Sequence, residues 1–147
     1  MSNNSEKRPL RWGIASTGKI AASMCSALQG LPDAEIVAVG SRTQEAAQQF
    51  AERFSIPHAH GSYDELWADD EVDVVYVASP HSHHHAMTIA ALDAGKHVLC
   101  EKAFAVNAAQ AREMVEAAAR NDRFLMEAMW TWFIPAVVDI RRRVLDG

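Results

Sequence analysis

The stretch from Leu10 to Ala22 (LRWGIASTGKIAA) combines glycines, hydroxyl side chains and a lysine at a spacing that can bind phosphate. An apolar run leads to Gly13 and a helical pattern follows Gly18, which predicts a strand, a tight turn and a helix. In the dinucleotide fingerprint G-x-G-x-x-G, the first glycine makes the turn, the second admits the pyrophosphate and the third allows close packing of helix and strand. Ala15 stands in the second place, so we expect a methyl group where the phosphate comes closest.

The predicted turn can still bind an anion through its backbone. N–H groups at a helix N-terminus point towards a ligand, and the helix dipole adds a partial positive charge there. We therefore expect cofactor contacts from the turn and the first helical residues, namely Gly13, Ala15, Ser16, Thr17, Gly18, Lys19 and Ile20. A strand, turn and helix without a ligand is the alternative, because short glycine patterns also arise by chance.

The end of the second predicted strand indicates which dinucleotide binds. An NAD site usually carries Asp or Glu at this point, where the carboxylate accepts hydrogen bonds from the ribose and would repel a 2′-phosphate. Here the strand ends in Gly40, Ser41, Arg42 and Thr43, without an acidic residue. Arg42 can pair with a phosphate through its planar fork, and the two hydroxyls can donate further hydrogen bonds. The residues predict NADP rather than NAD, with an exposed arginine that binds nothing as the alternative.

Strands and helices alternate along the chain from residue 10 onwards. Apolar runs and helical spacings predict further strands at 34–41, 59–62, 73–79, 97–102 and 124–128, and helices at 43–54, 63–67, 82–94, from 107 onwards and at 135–145. This alternation predicts the α/β class, with six strands in a doubly wound parallel sheet. We expect one dinucleotide-binding (Rossmann) domain over residues 10–147, preceded by a disordered tail at 1–9.

Composition narrows the possible partners. The chain has 147 residues, of which 49% are apolar and 22% charged, as in ordinary globular proteins. Its net charge of −5 offers no general attraction for nucleic acid or an acidic membrane. The N-terminus lacks a signal-peptide core and no apolar run reaches membrane-spanning length, so we expect a cytoplasmic protein. Cys25 and Cys100 fall in different predicted elements, which favours two buried, reduced thiols.

Four separated motifs resemble the Gfo/Idh/MocA oxidoreductases, in particular the branch that acts on dihydrodiols and D-xylose. They are RWGIASTGKIA at 11–21, GSYDEL at 61–66, AGKHVLCEK at 94–102 and EAMWTxFxP at 127–135. The resemblance implies an NADP-dependent dehydrogenase that moves a hydride between the nicotinamide and a sugar or dihydrodiol. It also implies a second domain with the substrate site and the interface of a homo-oligomer. We expect this chain to be the cofactor-binding domain alone, inactive by itself. The alternative is a non-catalytic module that binds or senses NADP.

The same resemblance assigns roles near the ends of later strands. It implies that Lys102 is catalytic and holds the substrate hydroxyl, where hydride transfer requires a positioned acid or base. It implies that Trp130 lines the substrate pocket, although a core tryptophan is an equal alternative. The remaining cofactor contacts that it implies are Ser79, Pro80, His81, His84, Glu101 and Lys102.

Two positions depart from the family pattern. The proline that follows the lysine is Ala103, and the arginine usual in the last motif is Trp132. Proline restricts both its own backbone and the preceding residue, so alanine is expected to hold Lys102 less firmly. The tryptophan removes a positive charge near the cofactor or substrate.

The histidine run HSHHH at 81–85 has one spacing that suits a metal. His81 and His85 lie four apart and could share a helix face. A structural zinc site usually needs four ligands, and neither cysteine has a partner in a C-x-x-C motif. We therefore expect no metal site, and we expect His83 and His85 on the surface.

Overall fold

The computed structural model describes residues 8–146 and consists of one six-stranded parallel sheet with helices on both faces. The strands are Leu10–Ala15 (β1), Ala34–Gly40 (β2), His58–His60 (β3), Val74–Val77 (β4), His97–Cys100 (β5) and Leu125–Glu127 (β6). The helices are Lys19–Leu28 (α1), Gln44–Phe54 (α2), Tyr63–Ala68 (α3), His81–Asp93 (α4), Ala108–Arg120 (α5) and Pro135–Asp146 (α6), with a 3-10 turn at Trp130–Phe133. The predicted α/β class and the six parallel strands are confirmed.

The strand order is β3-β2-β1-β4-β5-β6. From β1 the chain first builds outwards through β2 and β3, then returns to the other side of β1 and continues through β4, β5 and β6. The order therefore reverses between β1 and β4. In open parallel sheets the loops on either side of such a reversal diverge and leave a crevice at the carboxyl ends of the strands.

Apolar side chains cover both faces of the central strands. All four residues of β4, Val-Val-Tyr-Val, are buried, as expected of a strand without polar alternation. Val75 and Val77 belong to a core cluster with α3, α4 and α5, whereas Tyr76 packs in a second cluster with α1 and α2. The two clusters fix which face of each strand meets which helices.

Polar side chains determine where three helices begin. Thr43, Ser62 and Asn107 each accept a hydrogen bond from a backbone N–H in the first turn of α2, α3 and α5, respectively. The caps predicted at Thr43 and Asn107 are confirmed. The third predicted strand begins and ends earlier than expected, because Gly61 and Ser62 belong to the start of α3 rather than to the sheet.

Both cysteines are free and buried, as predicted, in α1 and β5. Burial raises the pKa of the Cys25 and Cys100 thiols to about 11, which keeps them protonated at neutral pH. No helix in the described part of the chain combines the length and apolar character needed to cross a bilayer.

The beginning of the described chain is attached to the body of the domain. Arg8 donates two hydrogen bonds to the carboxylate of Asp73, at 2.6 and 2.9 Å, and the backbone N–H of Arg11 donates a third at 3.0 Å. The tail predicted for residues 1–9 was therefore wrong at Arg8, and residues 1–7 lie outside the described residues. Asp73 precedes β4, so this contact joins the start of β1 to the centre of the sheet.

We expect Asp73→Asn to lower the free energy of unfolding at pH 7 by about 1 to 2 kcal/mol. The hydrogen bonds from Arg8, and then those from Arg11, hold the pKa of the Asp73 carboxyl well below its ordinary value, although burial opposes them. A carboxyl whose pKa is lower in the folded state stabilises the protein fully above its unfolded pKa, near 4, and loses that contribution as the pH falls further. The difference between the two proteins should therefore shrink between about pH 4 and pH 2.

Urea unfolding at a series of pH values measures this difference. Asp70→Asn is the matched control, since Asp70 is an exposed neighbour, and it should leave stability within about 0.5 kcal/mol. A gap between Asp73→Asn and the unaltered protein that stays constant down to pH 2 would contradict the ion-pair explanation.

Candidate functional site

The carboxyl ends of β1, β2 and β4 border a cleft of about 710 Å³, at the place where the strand order reverses. Three segments that the sequence marked out separately meet there, and five further residues complete the walls. The lining residues are Ser16, Thr17, Gly18, Ser41, Arg42, Thr43, Ala46, Tyr63, Ala78, Ser79, Pro80, His83 and Met87. The cleft has the position at which open parallel sheets bind nucleotides.

The loop between β1 and α1 forms the floor of the cleft. Ser16 has a φ of 118°, in a region that side-chain-bearing residues seldom adopt, and its N–H donates to the carbonyl of Gly40 at 3.0 Å. Gly18 precedes α1 in an extended conformation, and no side chain caps the helix. A Cβ built on Gly18 would meet only the Ser16 hydroxyl, at 3.7 Å. The helix N-terminus is thus accessible to an anion, and a pyrophosphate fits this loop.

The fingerprint residues Gly13 and Ala15 do not line the cleft. Gly13 lies within β1, and a Cβ there would approach Val72 to 2.9 Å, so close packing rather than a turn requires this glycine. Ala15 is fully buried, and its methyl group packs in the core with Leu66 and Val77. The expectation that this methyl group meets the phosphate was wrong, because the side chain at the end of β1 faces the core. Gly18 likewise is not needed for helix packing, since its Cβ position is open.

The second corner of the cleft lies at the end of β2. Ser41 is buried and its N–H donates to the carbonyl of His60 at 3.1 Å, which joins this corner to β3. Arg42 is exposed beside Tyr63, where burial raises the pKa of the phenol and the positive charge of Arg42 opposes the rise. Thr43 accepts the cap of α2 through its oxygen and keeps its O–H as a donor. This corner therefore offers one cation and several hydrogen-bond donors.

Two polar residues of the cleft, Tyr63 and His83, were missed from the sequence. Tyr63 is the first residue of α3 and stacks on Trp67, with ring centroids 6.0 Å apart. A signal for it was present, since Ser62 and Glu65 form the S-x-x-E capping pattern that fixes the start of this helix beside β2. His83 was predicted on the surface and is exposed there, although it also faces the cleft.

Three predicted contacts lie beside the cleft rather than in its lining. Lys19 borders a smaller cavity of about 300 Å³ together with Thr17 and Arg53. Ile20 is exposed on the first turn of α1. His81 begins α4 and is exposed, with its ring 5.4 Å from that of His84.

His84 is fully buried and connects two loops. One ring nitrogen lies 2.8 Å from the carbonyl oxygen of Ser79 and the other lies 2.9 Å from that of Ala103. These two residues follow β4 and β5, so the imidazole holds together the loops at the ends of adjacent strands. Both nitrogens are occupied by backbone, and the structure therefore gives His84 a positioning role rather than a direct cofactor contact.

The chain leaves β5 through Glu101 and Lys102. Glu101 is buried, and its carboxylate accepts hydrogen bonds from the Tyr76 hydroxyl at 2.5 Å and from the backbone N–H of Lys102 at 3.1 Å. Burial, and then the hydrogen bond to Glu101, raise the pKa of Tyr76, which keeps the phenol protonated as a donor. Lys102 is exposed at the carboxyl end of the strand, and its peptide bond to Ala103 is cis. Glu101 thus holds the backbone from which the lysine extends.

Trp130 lies in the 3-10 turn before α6 and is 63% exposed. The alternative of a core tryptophan is therefore wrong for this part of the chain. Trp132 is half exposed, with the guanidinium of Arg141 5.0 Å from the centre of its ring. No residue of α6 is buried, and Ile140, Val144 and Leu145 add to an apolar surface that begins at the turn.

The family model described as an oxidoreductase family with an NAD-binding Rossmann fold, Gfo/Idh/MocA, matches residues 10–129. The chain belongs to this family. It is 49% identical over 135 residues to trans-1,2-dihydrobenzene-1,2-diol dehydrogenase of Danio rerio, covering 90% of this chain and 40% of that protein. It is 48% identical over 150 residues to D-xylose 1-dehydrogenase (NADP(+)) of Hypocrea jecorina, covering 94% and 38%. The chain thus spans about 40% of the length of these curated relatives.

Solved structures agree with this assignment. KijD10, a 3-ketoreductase from Actinomadura kijaniata in complex with NADP, superposes with a TM-score of 0.88 at 32% identity, covering 95% of this chain and 45% of that one. An NAD-binding oxidoreductase from Klebsiella pneumoniae gives the same TM-score at 33% identity, covering 95% and 39%. The family resemblance inferred from the four motifs is confirmed.

We expect Tyr76→Phe to lower the free energy of unfolding by about 1 to 3 kcal/mol, because it leaves the buried Glu101 carboxylate without its side-chain donor. Chemical denaturation followed by circular dichroism measures the change. Tyr63→Phe is the matched control, since the Tyr63 hydroxyl makes no hydrogen bond within the described residues, and it should cost less than about 0.5 kcal/mol. Equal losses in the two variants would show that the Tyr76 hydroxyl does not stabilise Glu101.

Proposed function

We propose that this chain binds NADP in the cleft and forms the cofactor-binding part of a dehydrogenase that acts on a small sugar or dihydrodiol. The observation that carries the cofactor is the corner at the end of β2, where Arg42 stands beside two hydroxyl residues and no acidic residue takes the place that NAD sites use. The substrate class rests on the named activities of the relatives.

The cleft accommodates the parts of the cofactor in a definite order. The loop from Ser16 to Gly18 would hold the pyrophosphate through backbone N–H groups at the start of α1. Ser41, Arg42 and Thr43 would bind the 2′-phosphate. Ser79 and Pro80 border the opposite wall, with His81 at the start of α4, and would contact the nicotinamide half.

Lys102 is the residue proposed to act on the substrate. A bound nicotinamide cofactor supplies the hydride donor or acceptor. When a hydroxyl carbon loses hydride, its proton must also leave, and a group within hydrogen-bond reach must hold or accept that proton. Lys102 extends from the carboxyl end of β5 on a backbone that Glu101 holds, so it can donate to the substrate oxygen and orient it. The exposed Trp130 is proposed to form part of the substrate wall.

The proposal also covers the larger protein and its setting. The exposed apolar side chains of the 3-10 turn and α6 suit a contact with a further domain, through which the full-length protein would form a homo-oligomer. The net charge of −5 does not favour nucleic acid or an acidic membrane as a partner, and the two buried free thiols suit the cytoplasm.

Calorimetric titration with NADP and NAD tests the proposal. We expect NADP to bind at least ten-fold more tightly than NAD, because charge-assisted contacts to a phosphate contribute roughly 1.5 to 3 kcal/mol each. Arg42→Ala should weaken NADP binding about ten-fold or more and change NAD binding by less than about two-fold.

Arg120→Ala serves as the control, because Arg120 pairs with Asp93 and does not line the cleft. It should leave both affinities unchanged. Equal binding of the two cofactors, or tighter binding of NAD, would contradict the assignment of Arg42 to the 2′-phosphate.

A further inference from the structure

Three ligand-type side chains converge at the edge of the sheet formed by β3. His58 and His60 lie two apart on this strand and therefore point to the same face. His58 Nδ1 lies 2.7 Å, and His60 Nε2 2.9 Å, from the same oxygen, Oδ2 of Asp69, which follows α3. The three potential ligand atoms all lie within 4.8 Å of one another.

The carboxylate at the centre of this cluster is firmly held. Its other oxygen, Asp69 Oδ1, accepts the backbone N–H of Glu71 at 2.9 Å. The backbone carbonyl of Asp69 accepts a hydrogen bond from the buried Lys96 ammonium at 2.7 Å. The Asp69 side chain is only 7% exposed, whereas those of His58 and His60 are 38% and 22% exposed. A rigid, buried oxygen thus faces two nitrogens that solvent can reach.

Imidazole nitrogen and carboxylate oxygen are ligands that Zn²⁺ binds readily, at about 2.0 to 2.2 Å from the metal. In a tetrahedral site, such bonds place neighbouring ligand atoms about 3.3 Å apart. The present separations of 2.7 and 2.9 Å between the nitrogens and Asp69 Oδ2 would need to open by only about half an ångström. Rotation of the two partly exposed imidazoles achieves this without movement of the sheet.

An outer contact is also in place. Nε2 of His58 lies 3.8 Å from a carboxylate oxygen of Glu71, on the side of the ring away from Asp69. Histidines that bind a metal through one nitrogen usually donate the other N–H to a carboxylate, which orients the ring and increases its basicity. A small shift of the exposed Glu71 side chain would complete this pair.

We propose that His58, His60 and Asp69 bind a divalent ion of the zinc type, with the remaining coordination position open to water. The ion would replace the two N–H to oxygen hydrogen bonds by three bonds to one centre. It would fasten the edge strand β3 to the segment after α3. Because the carbonyl of His60 accepts the N–H of Ser41, this clip would also steady the Ser41 corner of the cleft.

The sequence did not indicate this site. The expectation of no metal rested on the histidine run at 81–85, whereas the ligands proposed here come from a three-residue strand and a residue nine positions further along the chain. Neither H-x-H nor a single aspartate is a recognised zinc motif. Only the fold brings them together, and the proposal does not depend on whether NADP binds.

Calorimetry with ZnCl₂ on the purified protein, after treatment with a chelator, tests the site. We expect one ion per chain, and at least ten-fold weaker binding in His58→Gln and in His60→Gln, since each loses one of three ligands. A saturating excess of ZnCl₂ should raise the Tm of the unaltered protein by about 5 °C and leave that of the variants unchanged.

His85→Gln is the matched control. His85 also faces a carboxylate, Glu113 at 2.6 Å, but without a second imidazole at that carboxylate. This variant should bind zinc as the unaltered protein does. Zinc binding that survives both β3 substitutions, or that disappears with His85→Gln, would overturn the assignment, as would the absence of binding to the unaltered protein.

Cobalt provides a second readout that requires no variant. Bound Co²⁺ should show the visible absorption of a four- or five-coordinate ion and should be displaced by one equivalent of Zn²⁺. A spectrum identical to that of the hydrated ion would overturn the proposal even if the substituted proteins fail to fold.

Discussion

The close approach of Leu66 to two strands is the contact on which the cleft depends. Its side chain is fully buried and lies against the backbone of both Gly13 and Gly40, where added Cβ atoms would come within 3.2 and 2.9 Å of it. A larger residue in either strand would push α3 away from the sheet, because packed interiors leave no room for extra atoms. The same contact sets α3 beside the end of β2 and so places Tyr63 in the cleft.

The fold could be predicted almost completely from the sequence. Strands without polar alternation indicate burial on both faces, and the regular alternation with helices leaves the doubly wound parallel sheet as the expected arrangement. The errors lie at the boundaries of elements. The fifth strand ends at Cys100, two residues before the predicted end at Lys102, and the third ends at His60 because the next residues begin α3. Local hydrogen bonds of this kind leave no trace in hydrophobic spacing.

The candidate site could be predicted only in part. Segments at the ends of β1, β2 and β4 were expected to meet, because parallel strands end at a common edge. The direction of each side chain could not be inferred, since a motif fixes order along the chain rather than which face a residue presents. Ala15 and His84 therefore proved to be core residues, whereas Tyr63 proved to line the cleft. The cluster at Asp69 depends on contacts between residues that no local pattern connects.

The two edges of the sheet have a consequence for how the chain associates with other molecules. Both edge strands, β3 and β6, contain three residues each. Strand addition needs a longer row of unpaired backbone groups, and short edges are a common protection against aggregation by sheet extension. Assembly of this chain with copies or partners should accordingly proceed through side chains on helix surfaces rather than through continuation of the sheet.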